Sequence, residues 1–238
     1  NFRNFKTIYL REIKSYFNTP MAYIFLVVFA LVNSYFFTLW FFPSNQSDMR
    51  SLFSIVPLAY LFFIPAISMS LIAREINSGT IELVSTLPIK DVEFVVGKYL
   101  SSVTLIAIGL GLTLVHFFTL VNVGSNIDYG AVFCGYLGLL LVGSVYCAIG
   151  VFASSISDNQ VVAFIVSVFV VLAFFLMDKM LIFMPQGLVG IMEYISIDYH
   201  LSNISRGVID TRNIIYFGSL IGFFIFLSLR TFDLRRWS

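Results

Sequence analysis

Charge is what this sequence has least of. Of its 238 residues only 11% are Asp, Glu, Lys or Arg and 59% are hydrophobic, against roughly 25% and 45–50% in an average soluble domain. Too few polar residues remain to cover a water-soluble globule. With 27 Phe, 12 Tyr and a mean hydropathy of +0.93, the chain reads as a membrane protein, and a soluble enzyme is excluded first. Charge of one sign is also missing: 14 Lys+Arg stand against 13 Asp+Glu. No basic run is long enough to neutralise a nucleic-acid backbone, so nucleic acid is not expected as a partner. Cysteine is scarce too. Cys134 and Cys147 share one apolar stretch, and on a helix they lie about 20 Å apart; they are read as small packing residues.

The common catalytic constellations are lacking as well. Gly97-Lys98 has Val92 in place of the first glycine of a phosphate-cradling loop and Tyr99 in place of its Ser or Thr, so the chain carries no ATP site of its own. His116 and His200 lie far apart with no H-E-x-x-H motif or cysteine cluster, which argues against a metal centre; His116 is read as a packed, hydrogen-bonded residue. Ser144 follows Gly143 but no base is marked for it, which disfavours intramembrane proteolysis. The apolar stretches hold no carboxylate for a coupling ion, which disfavours secondary transport. The expectation is a non-enzyme with no cofactor bound in this chain.

What is present is length of apolar run. A bilayer core of about 30 Å needs about 20 residues of helix, and six uncharged stretches approach that: Met21–Phe42, Ser51–Ala73, Tyr99–Val123, Ala131–Ala153, Val161–Met177 and Ile214–Leu229. The first 20 residues do not resemble a cleavable signal, because charges interrupt their apolar positions. Ten Lys and Arg fall in residues 1–20, 74–98 and 230–238, and four, Arg50, Lys179, Arg206 and Arg212, fall in the segments between the other ends of the spans. The positive-inside rule therefore places both termini, the 74–98 connection and the 154–160 turn in the cytoplasm. Residues 1–238 are expected to form one transmembrane domain: 1–20 interfacial, 21–177 spans one to five, 178–213 external, 214–229 span six and 230–238 a cytoplasmic tail.

Three segments do not span. Phe2, Phe5, Tyr9, Ile13 and Tyr16 recur at steps of three and four while Arg3, Arg11 and Lys14 project elsewhere, which describes an interfacial helix ended by Pro20, with its aromatic face at headgroup depth. Its role is either mechanical or mere anchoring. Residues 74–88 are expected to form a short amphipathic helix, capped by Ser78 or Thr80, with Ile81, Val84 and Leu87 on one side and Pro88 as its stop. With Glu75 and Glu82 it is too acidic for an anionic membrane surface. It suits docking into a groove on another protein, or packing on its own bundle. Asp91 is expected to cap the next helix, with Glu93 in its first turn. In Asp178–Asn213 the stretches LIFM and LVGIMEYI, broken by Pro185-Gln-Gly187, suit re-entrant or interfacial half-helices, with a surface loop as the alternative. Asn45-Gln-Ser47 and Asn203-Ile-Ser205 match the glycosylation pattern, a weak three-residue signal.

These residues resemble the ABC-2 type permeases, and more narrowly gliding-motility-associated permease subunits of the GldF type. The resemblance covers nearly the whole chain: REIKSYFNTPMAYIF at Arg11–Phe25, AREINSGTIELVSTLPIKDVEFVVGKYL at Ala73–Leu100, GYLGLLLVGSVYCAIGVFASSISDNQVVA at Gly135–Ala163 and SRGVIDTRNIIYF at Ser205–Phe217. The second and third blocks are the most specific, through ARE…GTIEL…TLP and A-x-G-x-F-A-S-S. Val84-Ser85 departs from leucines common in the family.

The resemblance implies an all-α polytopic protein of the ABC-2, type V exporter-like class, with six transmembrane helices, an N-terminal elbow helix, a cytoplasmic coupling helix and external re-entrant half-helices. It implies a membrane-interface elbow carrying Phe5, Tyr9, Arg11, Ile13, Lys14 and Tyr16. The surface coupled to an ATPase subunit would comprise Arg74, Glu75, Ser78, Gly79, Thr80, Glu82, Leu83, Val84, Leu87 and Pro88. The implied partners are a separate cytoplasmic ATP-binding subunit, which would hold the ATP and Mg, a second permease subunit in a homodimer or heterodimer, and the lipid bilayer of a bacterial inner membrane. Gly143-x-x-x-Cys147 and Gly218-x-x-x-Gly222 would suit helix packing. The expected function is that of an exporter permease; the alternative is a non-transporting subunit that transmits ATPase-driven motion to a motility or secretion machine.

Overall fold

Backbone in hydrocarbon must satisfy its own hydrogen bonds, so each long apolar run is obliged to become a helix. Among the described residues six helices are long and apolar enough to cross a bilayer: Pro20–Trp40, Arg50–Asn77, Asp91–Val123, Tyr129–Ile156, Gln160–Phe183 and Thr211–Arg235. The computed structural model describes residues 2–44, 49–81 and 88–236. Its elements are α1 (Phe2–Asn18), α2 (Pro20–Ser44), α3 (Arg50–Ser68), α4 (Ala73–Asn77), α5 (Asp91–Val123), α6 (Tyr129–Ile156), α7 (Gln160–Lys179), a 3-10 turn (Met180–Phe183), α8 (Gln186–Ile195), α9 (Ile197–Ser205) and α10 (Thr211–Arg236).

Local chemistry sets several of the helix starts. Asp128 accepts a hydrogen bond from the Ala131 N–H at 3.0 Å to start α6, and Asn159 accepts from Val161 at 2.8 Å to start α7. At α5 the Glu93 carboxylate reaches back to the Lys90 N–H at 3.2 Å. Lys90 is thus the residue outside the helix, and Asp91, expected as its cap, is its first residue.

Helix α6 is the hub. In the apolar window of this span 78% of residues are buried within the chain, against 17% for the spans of α7 and α10, which leave most of their surface outward. Close approach to α6 requires small residues. A Cβ on Gly150 would stand 1.9 Å from Ser68 Oγ of α3, so α3 and α6 touch almost backbone to backbone. Gly143 packs against Ile106 and Tyr60 inside the chain, whereas a Cβ on Gly218 or Gly222 would meet no atom within 4 Å. Between α2 and α3 an aromatic layer fills the core: Phe29 stacks on Tyr60 with centroids 5.9 Å apart, and Phe25 meets Phe63 edge-on at 5.7 Å. Cys134 and Cys147 are both buried and unpaired.

Five of the spans run beyond the uncharged stretches, four of them taking charged residues into their ends. Span two runs on through a turn into α4, so Arg74–Asn77 belong to the end of that span. Span six begins at Thr211. The 178–213 segment holds two short helices. Helix α9 buries Ile197, His200, Leu201 and Ile204, while no residue of α8 is buried.

Two poles result. Arg235 near the end of α10 pairs with Asp158 and the Ile156 carbonyl at the α6–α7 turn, which gathers α1, α4, the start of α5, this turn and the end of α10 at one pole. The start of α3, the 124–128 turn and residues 178–213 lie at the other.

Candidate coupling site

Helix α5 has 33 residues, about 50 Å at 1.5 Å per residue, so it exceeds the hydrocarbon thickness and its first turns protrude at the α1 pole. Helix α1 covers that protrusion. Ile8 lies so close to Gly97 that a Cβ there would stand 3.0 Å from Ile8 Cγ2. The Asn4 amide donates to the Pro88 carbonyl at 3.1 Å, and the Tyr9 and Thr104 hydroxyls are 2.9 Å apart. Tyr16 donates to the Ile67 carbonyl of α3 at 3.0 Å; its burial pushes the phenol well above its ordinary value of 10.0.

This packing corrects the expected elbow. The buried row of α1 is Ile8, Glu12 and Tyr16, one residue per turn, with a carboxylate at its centre. Phe5, Tyr9 and Ile13 are half-buried along its edge, Phe5 stacking on Tyr9, while Arg11 and Lys14 remain exposed. A face containing Glu12 is made to meet protein, not lipid.

Glu12 meets Lys98. The lysine is 1% exposed on α5, and its ammonium stands 2.8 Å from Glu12 Oε1 and 3.1 Å from Glu75 Oε1 of α4. Arg11, whose side chain is 55% exposed, closes the ring at 3.2 Å from Glu12 Oε1 and 2.8 Å from Glu75 Oε1. Two cations and two carboxylates thus join three elements with no net charge. Burial alone raises the Glu12 pKa, but Lys98 and then Arg11 outweigh it and hold the carboxyl below its ordinary 4.5. Desolvating such a group is costly, and removing one member exposes the rest to that cost. Lys98 and Glu75 are therefore not the water-facing charges expected for a free cytoplasmic connection. Glu75 Oε2 is buried without a hydrogen-bond partner among the described residues.

Beyond Glu75 the chain turns sharply. Ser78 follows α4 as its C-terminal cap, not the start of a new helix: its N–H donates to the Arg74 carbonyl and its hydroxyl lies 3.0 Å from that of Thr80. Gly79 has φ +69, a left-handed conformation that glycine adopts without steric cost, and residues 80–81 are helical again. Arg74 and Pro88 are exposed. Glu82, Leu83, Val84 and Leu87 lie outside the described residues.

The joint is anchored to the hub by one hydroxyl. Ser154 near the end of α6 accepts from the Ile72 and Ala73 N–H groups, both at 2.9 Å, and donates to the Met69 carbonyl at 2.9 Å. The A-x-G-x-F-A-S-S stretch at Ala148–Ser155 thereby meets the A-R-E stretch at Ala73–Glu75: Gly150 lets α3 approach, and Ser154 completes the turn that leads into α4. The two sequence blocks are distant in the chain and adjacent in space.

A family model described as "ABC-2 family transporter protein" matches residues 6–204. The chain belongs to the ABC-2 family. It is therefore a multi-pass membrane permease of the ABC transporter class, a class that generally works with a cytoplasmic ATP-binding subunit. No curated protein matches the chain. Read as an ABC-2 permease, the match ends before α10 and includes every member of the charge ring. Neither Glu12 nor Lys98 stands out in the sequence as a functional residue. The available signal was a carboxylate at the centre of an apolar i, i+4 row, Ile8-Glu12-Tyr16, which calls for a buried cation.

Proposed function

We propose that this chain is the permease subunit of an exporter driven by a separate ATPase subunit. In this reading the segment from Ser78 to Pro88 receives the push, and the Glu12–Lys98–Glu75–Arg11 ring passes it on. The ring carries the proposal: it makes α1, the end of span two and the start of span three one body directly beside the segment that would be gripped. Displacing that segment moves Glu75, and Glu75 cannot move alone without stranding Lys98 and Glu12 in a poorly solvated place. Rotation is thereby handed to two spans and the elbow together. The termini and residues 74–98 are cytoplasmic in this reading, in a bacterial inner membrane, and a second permease subunit completes the assembly. The narrower likeness to GldF-type subunits belongs to the same proposal.

Purification in mild detergent, identification of the accompanying chains and an ATPase assay test it. The expected result is an ATP-binding subunit whose recovery or turnover falls when Gly79, Glu82 or Val84 is substituted, with the permease still inserted. Isolation of the chain alone, with no ATPase in the native membrane extract, would overturn the reading.

A further inference from the structure

The pole opposite α1 carries four basic residues against the charge bias of the chain, and two of them are unanswered. Lys179 pairs with Asp178 and Asp198 at 3.2 and 3.1 Å. Arg206 and Arg212 have no ion-pair partner among the described residues, and both line one pocket of about 330 Å³ with Asn213, Tyr194 and His200. The pocket's one carboxylate, Asp210, spends an oxygen on the Arg212 N–H at 2.9 Å, at the start of α10. Asn213 is only 4% exposed. Its side-chain amide lies 2.7 Å from His200 Nδ1, and His200 Nε2 donates to the Tyr194 carbonyl at 2.8 Å, so both ring nitrogens are engaged. His200 also stacks on Tyr216 with centroids 3.8 Å apart.

The geometry points to a binding site for the phosphate-ester headgroup of an anionic membrane amphiphile. Two guanidinium groups against one carboxylate leave charged donors in excess, which is what an anion with several oxygens needs. Around them the surface is apolar and uncovered: Val208, Tyr194 and Ile191 are exposed. That rim is where acyl or prenyl chains would lie. Arg206 is also a wall of an adjoining cavity of about 410 Å³ floored by Phe53 and Leu201, so the space exceeds a bare phosphate. A positively charged pair on the side that the Lys/Arg count places outside would otherwise be selected against by topology. The proposal goes beyond the coupling reading and does not depend on it.

The test uses the purified chain in non-ionic detergent, titrated by native mass spectrometry with dihexanoyl phosphatidylglycerol, dihexanoyl phosphatidylcholine and glycerol 1-phosphate. One saturable phosphatidylglycerol per chain is expected, weakened by salt and bound more tightly than the other two. Arg206→Ala and Arg212→Ala should each lower its affinity about tenfold, the loss of one charge-assisted contact. Equal affinity of wild type and the Arg206→Ala/Arg212→Ala double variant would overturn the site. Glycerol 1-phosphate binding as tightly as the lipid would overturn the membrane amphiphile as its ligand.

Discussion

At one pole of the bundle Lys98 is surrounded by Glu12 and Glu75, with Arg11 closing the ring; at the other, Arg206 and Arg212 line a pocket with one carboxylate, Asp210, and form no ion pair among the described residues. Both poles carry arginine, carboxylate and hydrogen-bonded tyrosine, and the difference lies in what surrounds them. Helix α1 covers the first cluster, removes its water and makes neutrality compulsory. Among the described residues no helix lies across the second, so its charges persist in contact with solvent or ligand. A covered charge cluster holds elements together, whereas an uncovered one is available to bind.

The sharpest way to break this contrast is to remove the centre of the covered ring. Lys98→Ala leaves two buried carboxylates with only Arg11 between them and is expected to cost about 3–5 kcal/mol. Thermal unfolding in detergent, followed by a thiol-reactive dye at the buried Cys134 and Cys147, gives the readout. The paired change Lys98→Met with Glu12→Gln should recover most of the loss; no recovery would show that the lysine acts through packing alone.

Next in size is the anchor of the joint. Ser154→Ala strands the Ile72 and Ala73 N–H groups and the Met69 carbonyl, with an expected cost of about 1–3 kcal/mol in the same assay. An unchanged melting temperature would mean that water or another group satisfies the turn.

Acid sharpens the comparison further. Because Glu12 is held below its ordinary 4.5 in the folded chain, the unfolded chain takes up its proton first as pH falls. The contribution is complete above about 4.5 and disappears as pH drops through the lower folded value. Melting temperature should therefore fall more steeply below pH 4.5 in the wild type than in Glu12→Gln; parallel curves would remove Glu12 from the ring's energetics.

The smallest effect is expected where an ion pair of the same pole is open to water. Arg235→Ala breaks the pair with Asp158 and should shift stability by no more than about 1 kcal/mol. A loss as large as that of Lys98→Ala would contradict the covered-versus-uncovered distinction.

Much of the fold is legible in one dimension. Six apolar runs without internal charge have to be helices in lipid, and the caps at Asp128 and Asn159 and the close packing at Gly150 each occupy a residue type suited to the geometry. The candidate coupling surface was legible as a segment: the turn residues Ser78 and Gly79 and the acidic Glu75 all draw attention. Its internal wiring was not. Lys98 reads as one more cation flanking a span until α1 is laid against α5, and Tyr9 and Tyr16 read as headgroup aromatics until Thr104 and the Ile67 carbonyl are beside them. In the 74–88 connection the capping residues Ser78 and Thr80 mark a helix start in the sequence; that Arg74–Asn77 before them belong to α4, with Gly79 in a left-handed turn between, shows only in the structure.

By itself, then, the sequence determined the solvent in which this protein lives, the number of its spans and the family to which it belongs, because hydropathy and hydrogen-bond satisfaction act along the chain. Only the tertiary structure decided which charges are neutralised and which are left to act. Whether Lys98 is an internal joint and Arg206 an outward donor depends on which helix lies across each of them, and burial and charge pairing between distant segments are not properties of any one segment.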